Sequence, residues 1–280
     1  MKSKPDDNNT DQEYVYSYES TITKAHESRT AQKQGAFFLP YLKPGMTLLD
    51  VGCATGSITV GLAEAVSPGQ VTGVDISEVE IARARERTAD NKISNIRFEV
   101  GDAYQLAFPD NSFDALFSHN VLEHIPEPGR ALKEMQRVLK PGGVIGIRDV
   151  DYGGFLIAPD DGVLERWFAI VEKDLATRGM HTRLGRSLGG LLYEAGFIEV
   201  EASASYDVYA DPERCRFVAQ GSSSRLFEAD FVERITDGGL ANAEELETIK
   251  KAWKNWPEIA GAFAAGSHGE AIGRKREKGK

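Results

Sequence analysis

The chain has 280 residues, of which 41% are hydrophobic and 27% charged, and its formal net charge is −10 at pH 7. This length and composition are typical of a globular protein with one or two domains, and no run of 18 apolar residues predicts a membrane span. The acidic charge argues against a general nucleic-acid binder, because phosphate contacts require clustered Lys and Arg.

The two ends of the chain are polar. Residues 1–13 contain nothing apolar to bury and are predicted to be a disordered tail. They also lack the apolar segment of a secretory signal, so we expect a cytoplasmic protein. Residues 276–280 form a basic tail, which we interpret as a solvated end rather than an RNA-binding patch. Between the tails, Tyr14, Tyr16 and Tyr18 alternate ahead of a short helix, as either a lid or packing residues.

The most informative stretch is a strand followed by a glycine-rich turn and a helix. Residues 47–51 are an apolar run typical of a buried strand, and Gly52 and Gly56 allow a sharp turn before a helix near Ser57. Backbone N–H groups and the positive end of that helix would face a nucleotide-type ligand. No Lys-Ser/Thr pair follows Gly56, which excludes a Walker phosphate loop, and the glycine spacing is not G-x-G-x-x-G.

Asp75 ends the next predicted strand, about 20 residues further on, where a carboxylate can hold the two hydroxyls of a ribose. The glycine turn and Asp75 together indicate a nucleoside ligand and do not require a pyrophosphate.

The chain then alternates between strands and helices. Predicted strands lie at 47–51, 70–75, 96–100, 112–118 and 144–149, and predicted helices at 57–66, 79–89 and 129–139. Ser77 and Glu80 form a capping box for the second helix. This β-α alternation predicts a parallel, doubly wound sheet with right-handed crossovers.

After residue 150 the pattern becomes less regular. It predicts helices near 163–175 and 188–192, and a strand at 198–208 whose apolar face is covered. Two or three helices follow within 211–257, and the last strand is predicted at 261–274. Asp149, Asp151 and Tyr152 follow the fifth strand, as either a solvated acidic loop or part of an acceptor site.

Five segments in this order resemble the motif series of class I S-adenosylmethionine-dependent methyltransferases. The similarity is to the ubiquinone/menaquinone-biosynthesis C-methyltransferase-like group (methyltransferase type 11/25), and it is firm over about residues 45–150. The segments are 48–56 (LLDVGCATG), 71–77 (VTGVDIS), 101–103 (GDA), 113–123 (FDALFSHNVLE) and 139–143 (LKPGG).

This resemblance implies an α/β fold: a Rossmann-like, seven-stranded, mostly parallel sheet with helices on both faces. The last strand would be antiparallel, inserted between strands five and six, and preceded by a helical insertion. We therefore expect a single methyltransferase domain over 14–275. Its parts are an N-terminal helical cover (14–45), a cofactor-binding core (46–150) and a helical lid insertion (211–257).

The resemblance also implies that the cofactor is S-adenosylmethionine. Asp50 would orient its methionine amino group, and Asp75 would take the ribose hydroxyls while Ile76 packs on the adenine. Asp102 and Ala103 would contact the adenine edge. Arg29 would reach the methionine carboxylate or make a surface salt bridge. Backbone approach and contacts to the methionine part would come from Gly52, Cys53, Ala54, Gly56, Ser118, His119, Asn120 and Val121.

Methyl transfer from a sulfonium needs mainly a close, aligned acceptor, and a base only if the acceptor arrives protonated. Candidate bases are His124 and His119, followed by His181 and Asp151. Cys53 is interpreted as a packing residue rather than a nucleophile. No His, Asp or Cys cluster has metal-ligand spacing, so no metal is predicted.

We therefore expect methyl transfer to a small, fairly apolar metabolite at carbon, oxygen, nitrogen or sulfur, by in-line displacement. The aromatic content of the predicted cover and insertion, which includes Phe37, Phe38, Trp167, Phe168, Phe227, Trp253 and Trp256, supports an apolar acceptor. A monomer or homodimer is expected, without nucleic-acid partners or a membrane span. The alternatives are a cofactor-binding module without turnover and an NAD-dependent oxidoreductase.

Overall fold

The computed structural model describes residues 28–90 and 93–277. The predictions for the 1–13 tail, for the tyrosine series and for residues 278–280 of the basic tail lie outside these residues.

The strands and helices follow the predicted order closely. The strands are β1 (Leu48–Val51), β2 (Val71–Asp75), β3 (Ile96–Val100), β4 (Phe113–His119), β5 (Leu139–Val150), β6 (Leu156–Ala158), β7 (Ile198–Tyr209) and β8 (Phe263–Arg274). The helices are α1 (Ala31–Gln34), α2 (Ser57–Val66), α3 (Glu78–Asp90), α4 (Pro128–Val138), α5 (Val163–Thr177), α6 (Leu188–Glu194), α7 (Pro212–Ser224), α8 (Ala229–Asp237) and α9 (Ala243–Asn255).

The strands form one mixed sheet in the order β3-β2-β1-β4-β5-β8-β6, with β7 paired to β8. Strands β1 to β5 are parallel, and β8 runs antiparallel to β5, β6 and β7. The antiparallel strand inserted between the fifth strand and β7 is therefore confirmed, as is the helical insertion before it. The three-residue β6 adds an eighth strand that the sequence patterns did not indicate.

Hydrophobic clusters cover the two faces of the sheet. On one face, helix α4 contributes Leu132 and Met135, which pack with α6 against β4 and β5. On the other face, helix α2 and Phe38 pack against Phe117, whose ring is stacked on that of Phe38 with centroids 5.6 Å apart. The carboxyl ends of the parallel strands are left as the edge where a ligand can bind.

Helices α5 and α7 to α9 form a further cluster with β6. Its largest members, Trp167, Trp253 and Trp256, are all about 1% exposed, whereas Phe227 is 68% exposed. Four of the aromatic residues offered as evidence for an apolar acceptor, these tryptophans and Phe38, are therefore core residues. The insertion also depends on α5, which lies outside the predicted 211–257 segment.

Strand β7 agrees with the prediction of a covered apolar face at its start, where Val200 packs against the core, and contradicts it further along. Its apolar residues Tyr206 and Val208 are 46% and 37% exposed, whereas the alternate residues Ser205 and Asp207 hydrogen-bond to the buried Arg148 of β5. The reason is that Arg148 is fully buried on that face and needs hydrogen-bond partners, which an apolar strand face does not provide.

Candidate active site

The turn after β1 has the backbone geometry that its glycines predict. Gly52 and Gly56 have φ values of +76° and +72°, and Ala54 between them has +45°. A Cβ atom on Gly52 would lie 2.1 Å from Cγ2 of Val121, so the turn after β1 is packed directly against the loop after β4. A Cβ on Gly56 would lie 2.7 Å from the Phe98 ring.

Asp75 lies at the end of β2 and holds two loops by its carboxylate. The backbone N–H of Ala54 donates to Oδ2 and that of Ser77 to Oδ1, both at 2.9 Å. Burial raises the pKa of this carboxyl, while the backbone donors oppose the shift. The next residue, Ile76, has a side chain 56% exposed, as a platform for a ligand ring would require.

Asp50 is the residue before the last in β1 and is almost fully buried. The Thr59 hydroxyl donates to its Oδ2 at 2.6 Å. Burial is the main reason why the pKa of Asp50 rises to about 7, with a smaller contribution from the charge of Asp75. Burial also raises the pKa of the neighbouring Cys53 thiol, which agrees with a packing role and disfavours a thiolate nucleophile.

Asp102 follows β3, next to the end of β2, since the Gly101 N–H donates to the Asp75 carbonyl at 2.9 Å. Its carboxylate accepts from the Tyr104 N–H at 2.8 Å, and Ala103 beside it is half-buried. The three predicted carboxylates, Asp50, Asp75 and Asp102, thus follow or end three adjacent strands at one edge of the sheet.

The end of β4 carries polar atoms that lack partners. His119 is buried, and its Nδ1 lies 3.2 Å from the Arg148 carbonyl oxygen. Asn120 has φ +53° and donates its N–H to the same carbonyl at 2.9 Å. Within the described residues, Nε2 of His119, Oδ1 of Asn120 and Oγ of Ser118 are buried without a hydrogen-bond partner. Buried polar groups of this kind are those that a bound ligand or water satisfies.

The remaining candidate bases are engaged elsewhere. Nε2 of His124 lies 3.2 Å from Oε1 of Glu123, and Nε2 of His181 lies 3.3 Å from the Pro126 carbonyl. Asp151 makes a bidentate ion pair with Arg186, which holds the pKa of that carboxyl below its usual range. Both carboxylate oxygens of Asp151 are therefore occupied by Arg186.

The acidic residues after β5 are not a solvated loop. Asp149 is fully buried and Asp151 is 7% exposed. Oδ1 of Asp149 accepts from the Glu123 N–H at 3.2 Å, and burial followed by the nearby Glu123 charge raises the pKa of Asp149 well above its usual range. The prediction of a solvated acidic loop after β5 is therefore wrong.

Sequence reasoning missed a polar cluster beside His119. His268 of β8 has its ring centroid 5.8 Å from that of His119, and its Nδ1 lies 3.9 Å from Oδ2 of Asp207. Arg148 lies in the same cluster, and the charge of half-buried Arg29 contributes to lowering the pKa of both histidines. The available signal is the alternation of Ser205 and Asp207 along β7, on the face opposite the apolar one.

The residues at this edge fit S-adenosylmethionine. The glycine turn leaves room that a Cβ would fill, and three carboxylates lie along the edge with the exposed side chain of Ile76 between them. Unpartnered polar atoms follow β4, where the methionine part would lie. Across residues 28–90 and 93–277, no group of three His, Cys, Asp or Glu side chains is placed to hold a metal ion.

No helix in the described part of the chain is long and apolar enough to cross a membrane.

The fold and this edge define a Rossmann-like protein of the S-adenosylmethionine-binding type. A family model described as a methyltransferase domain matches residues 42–195. The chain therefore belongs to the class I S-adenosylmethionine-dependent methyltransferases, and S-adenosylmethionine is its cofactor. Because the chain belongs to this family, the alternative of an NAD-dependent oxidoreductase is rejected.

Known proteins are similar to the chain over different lengths, the last of the following three in fold alone. An uncharacterized methyltransferase of Schizosaccharomyces pombe is 31% identical, covering 94% of this chain and 97% of the relative. A demethylmenaquinone methyltransferase of Staphylococcus aureus is 46% identical over 105 residues, which cover 37% of this chain and 43% of that enzyme. The structure of the YcgJ protein of Bacillus subtilis has a TM-score of 0.60 at 19% identity, covering 88% of this chain and 99% of that protein.

Proposed function

We propose that this methyltransferase acts on a small, fairly apolar acceptor bound at the carboxyl ends of β4 and β5. When bound, S-adenosylmethionine supplies the methyl group: the bond to the acceptor atom forms as the sulfonium–methyl bond breaks, and the sulfur keeps the electron pair. The observation that carries the proposal is the buried, unpartnered Nε2 of His119 at this edge. A site that is buried to this degree favours a small acceptor over a polymer.

For the cofactor we propose three carboxylate roles. Asp50 orients the amino group of the methionine part, Asp75 holds the ribose hydroxyls, and Asp102 accepts from the adenine amino group. Ile76 packs on the adenine, and Ala103 contacts its edge. The turn residues Gly52, Cys53, Ala54 and Gly56 allow close backbone approach, and His119, Asn120, Val121 and Arg29 contact the methionine part.

The apolar side of the acceptor site is proposed to include Phe37, which is half-buried and whose ring lies 6.3 Å from that of the core residue Phe117. An aromatic ring in such a position favours an acceptor with an apolar or aromatic body.

His119 is the preferred base for an acceptor that arrives protonated. A carbonyl oxygen can only accept, so the contact between Nδ1 and the Arg148 carbonyl places the ring proton on Nδ1. Nε2 is then an unprotonated acceptor. His124 is the second candidate, although its Nε2 faces Glu123.

A single methyltransferase domain, a lid role for the insertion, a cytoplasmic location and a monomeric or homodimeric state remain predictions.

Thermal unfolding with S-adenosylhomocysteine tests the cofactor assignments. At ligand about 100-fold above its dissociation constant, we expect the native state to gain about 2.7 kcal/mol. Asp75→Ala should lose most of this gain, whereas Asp237→Ala, at an exposed carboxylate on α8, should keep it. An unchanged gain in Asp75→Ala would overturn the role proposed for Asp75.

Acceptor class is tested separately, by counting S-adenosylhomocysteine released with a panel of thiols, phenols, amines and quinol precursors. Turnover of any member supports a small-molecule acceptor. A protein that binds S-adenosylhomocysteine but turns over no member would contradict it.

A further inference from the structure

The polar cluster beside His119 is built from four strands and helix α1. His119 ends β4, Arg148 lies beside it in register on β5, and His268 and Asp207 face each other from β8 and β7. Gln34 of α1 donates to Oδ1 of Asp207 at 3.3 Å, so α1 also contributes a side chain to the cluster. All of these residues lie on the face of the sheet that carries Phe117.

Both histidines are held in the same tautomer. Nδ1 of His268 lies 3.3 Å from the Gly266 carbonyl and 3.9 Å from a carboxylate oxygen of Asp207, and both of these oxygens can only accept. Nδ1 of His268 therefore carries the proton, as Nδ1 of His119 does. Each ring thus leaves Nε2 unprotonated, and that of His119 is buried without a hydrogen-bond partner among the described residues.

Burial and the nearby positive charges favour the neutral form of both rings. Burial is the first cause that lowers the pKa of both histidines, and the Arg29 and Arg148 charges add to it. Arg148 is neutralised in part by Asp207 at 3.1 Å and Glu270 at 3.5 Å, but its Nη1 is buried without a hydrogen-bond partner in the described chain. The cluster thus combines two proton acceptors with one unused cationic donor.

We propose that His119 and His268 together accept the proton of a methyl acceptor that carries an acidic O–H or S–H group. The proton passes from that group to Nε2 of one of these rings, the electron pair of the O–H or S–H bond stays on the acceptor atom, and Arg148 stabilises the anion formed. The Gly266 carbonyl, with the Asp207 carboxylate nearby, holds His268 in the required tautomer. This inference rests on the proposed function, because it specifies the acceptor of the same site.

The same cluster gives an amine no advantage. A neutral amine attacks through its own lone pair, so it needs no proton removed beforehand and forms no anion for the unpartnered Nη1 of Arg148 to stabilise. An O–H or S–H acceptor gains from both the base and Arg148.

Three acceptors with one skeleton test the proposal: 4-methylphenol, 4-methylthiophenol and 4-methylaniline, each assayed with S-adenosylmethionine by release of S-adenosylhomocysteine. We expect the phenol and the thiol to be methylated about tenfold or more faster than the aniline. A rate on the aniline equal to that on the phenol would overturn the proposal.

His119→Asn and His268→Asn separate proton transfer from structure, because the Asn amide can replace the N–H at Nδ1 while Nε2 is lost. We expect each variant to lose about tenfold or more of kcat on the phenol, within the range of general-base effects. The loss on the thiol should be under about threefold, because a thiol ionises at lower pH than a phenol and needs the base less. Equal losses on both acceptors, or no loss on either, would overturn the proposal.

Tyr206→Phe is the matched control, since Tyr206 lies on the opposite face of β7 and is largely exposed. It should retain wild-type kcat on both acceptors. Calorimetric binding of S-adenosylhomocysteine distinguishes failure of the proposed acceptor class from failure of the cofactor assignments. Normal binding without turnover of any of the three compounds would overturn this acceptor class only, whereas absent binding by the wild type would contradict the cofactor assignments on which the proposed function rests.

Discussion

Asp50 is the site residue whose charge depends most on burial. Burial raises its pKa to about 7, above the value of about 4 in an unfolded chain. Between these values the folded state holds a proton that the unfolded state releases, so the free energy of unfolding falls as the pH rises, by up to about 1.4 kcal/mol per pH unit. Asp50→Asn should remove this contribution and be the more stable protein at pH 8. Urea denaturation of both proteins at pH 5 and pH 8 measures the difference.

Asp237→Asn is the control for that comparison, because it makes the same chemical change at an exposed carboxylate on α8, away from the site. The Asn amide oxygen at position 50 can still accept from the Thr59 hydroxyl, so packing is preserved. If wild type and Asp50→Asn show the same change in stability between pH 5 and pH 8, the raised pKa is refuted.

Single residues differed in how far the sequence could predict their positions. Asp75 was predictable because it ends a strand next to a glycine turn, and both features are local. His268 was not, because its place beside His119 depends on the pairing of β8 with β5, between segments more than 100 residues apart. The burial of Arg148 was also not predictable, because it depends on partners from distant strands and nothing local indicates that a strand arginine is buried.

At the scale of elements, the β1–α2 turn and the loop after β4 form one packed unit. Gly52→Ala would place a Cβ 2.1 Å from Cγ2 of Val121 at a φ of +76°. We expect it to destabilise the protein and to abolish the thermal shift with S-adenosylhomocysteine. Shortening the opposing side chain in Gly52→Ala/Val121→Ala should recover part of the stability, but not the roughly 1–2 kcal/mol cost of a left-handed backbone.

Val121→Ala alone supplies the matched baseline for this pair. The thermal unfolding midpoints of the three variants and the wild type form a double-mutant cycle. Simple additivity of the two changes would show that the turn and the loop do not contact each other in solution.

Elements were predicted well where one periodicity determined them. The β-α alternation up to β5 and the helices of the insertion have local patterns, and their bounds agree with the structure to within a few residues, apart from an earlier start of β5. Which face of β7 points inward was predicted wrongly near Tyr206, because the strand alternates between an apolar set of side chains with Tyr206 and a polar set with Asp207. The buried charge of Arg148, on another strand, determines that the polar set faces inward.

At the scale of the whole molecule, the cofactor edge and the helical insertion are supported by different clusters of buried residues. Leu132 and Met135 lie in the cluster that α4 and α6 form against β4 and β5, which we call the cluster under the sheet. Trp167, Trp253 and Trp256 lie in the cluster of α5 and α7 to α9. Truncating a side chain in one cluster should therefore affect that part of the molecule first.

Trp253→Ala tests this separation. Trp253 is fully buried and makes edge contacts with Phe168 and Trp256, with centroids 5.7 Å and 5.8 Å apart. Its removal should cost about 3–5 kcal/mol within the insertion. Amide hydrogen exchange should then accelerate in α5 and α7 to α9, while the affinity for S-adenosylhomocysteine changes by less than about threefold.

Met135→Ala, in the cluster under the sheet, is the matched control. It should lower the affinity for S-adenosylhomocysteine while hydrogen exchange in α5 and α7 to α9 stays as in the wild type. Loss of cofactor affinity in Trp253→Ala with the insertion still protected would mean that the insertion acts on the cofactor edge directly.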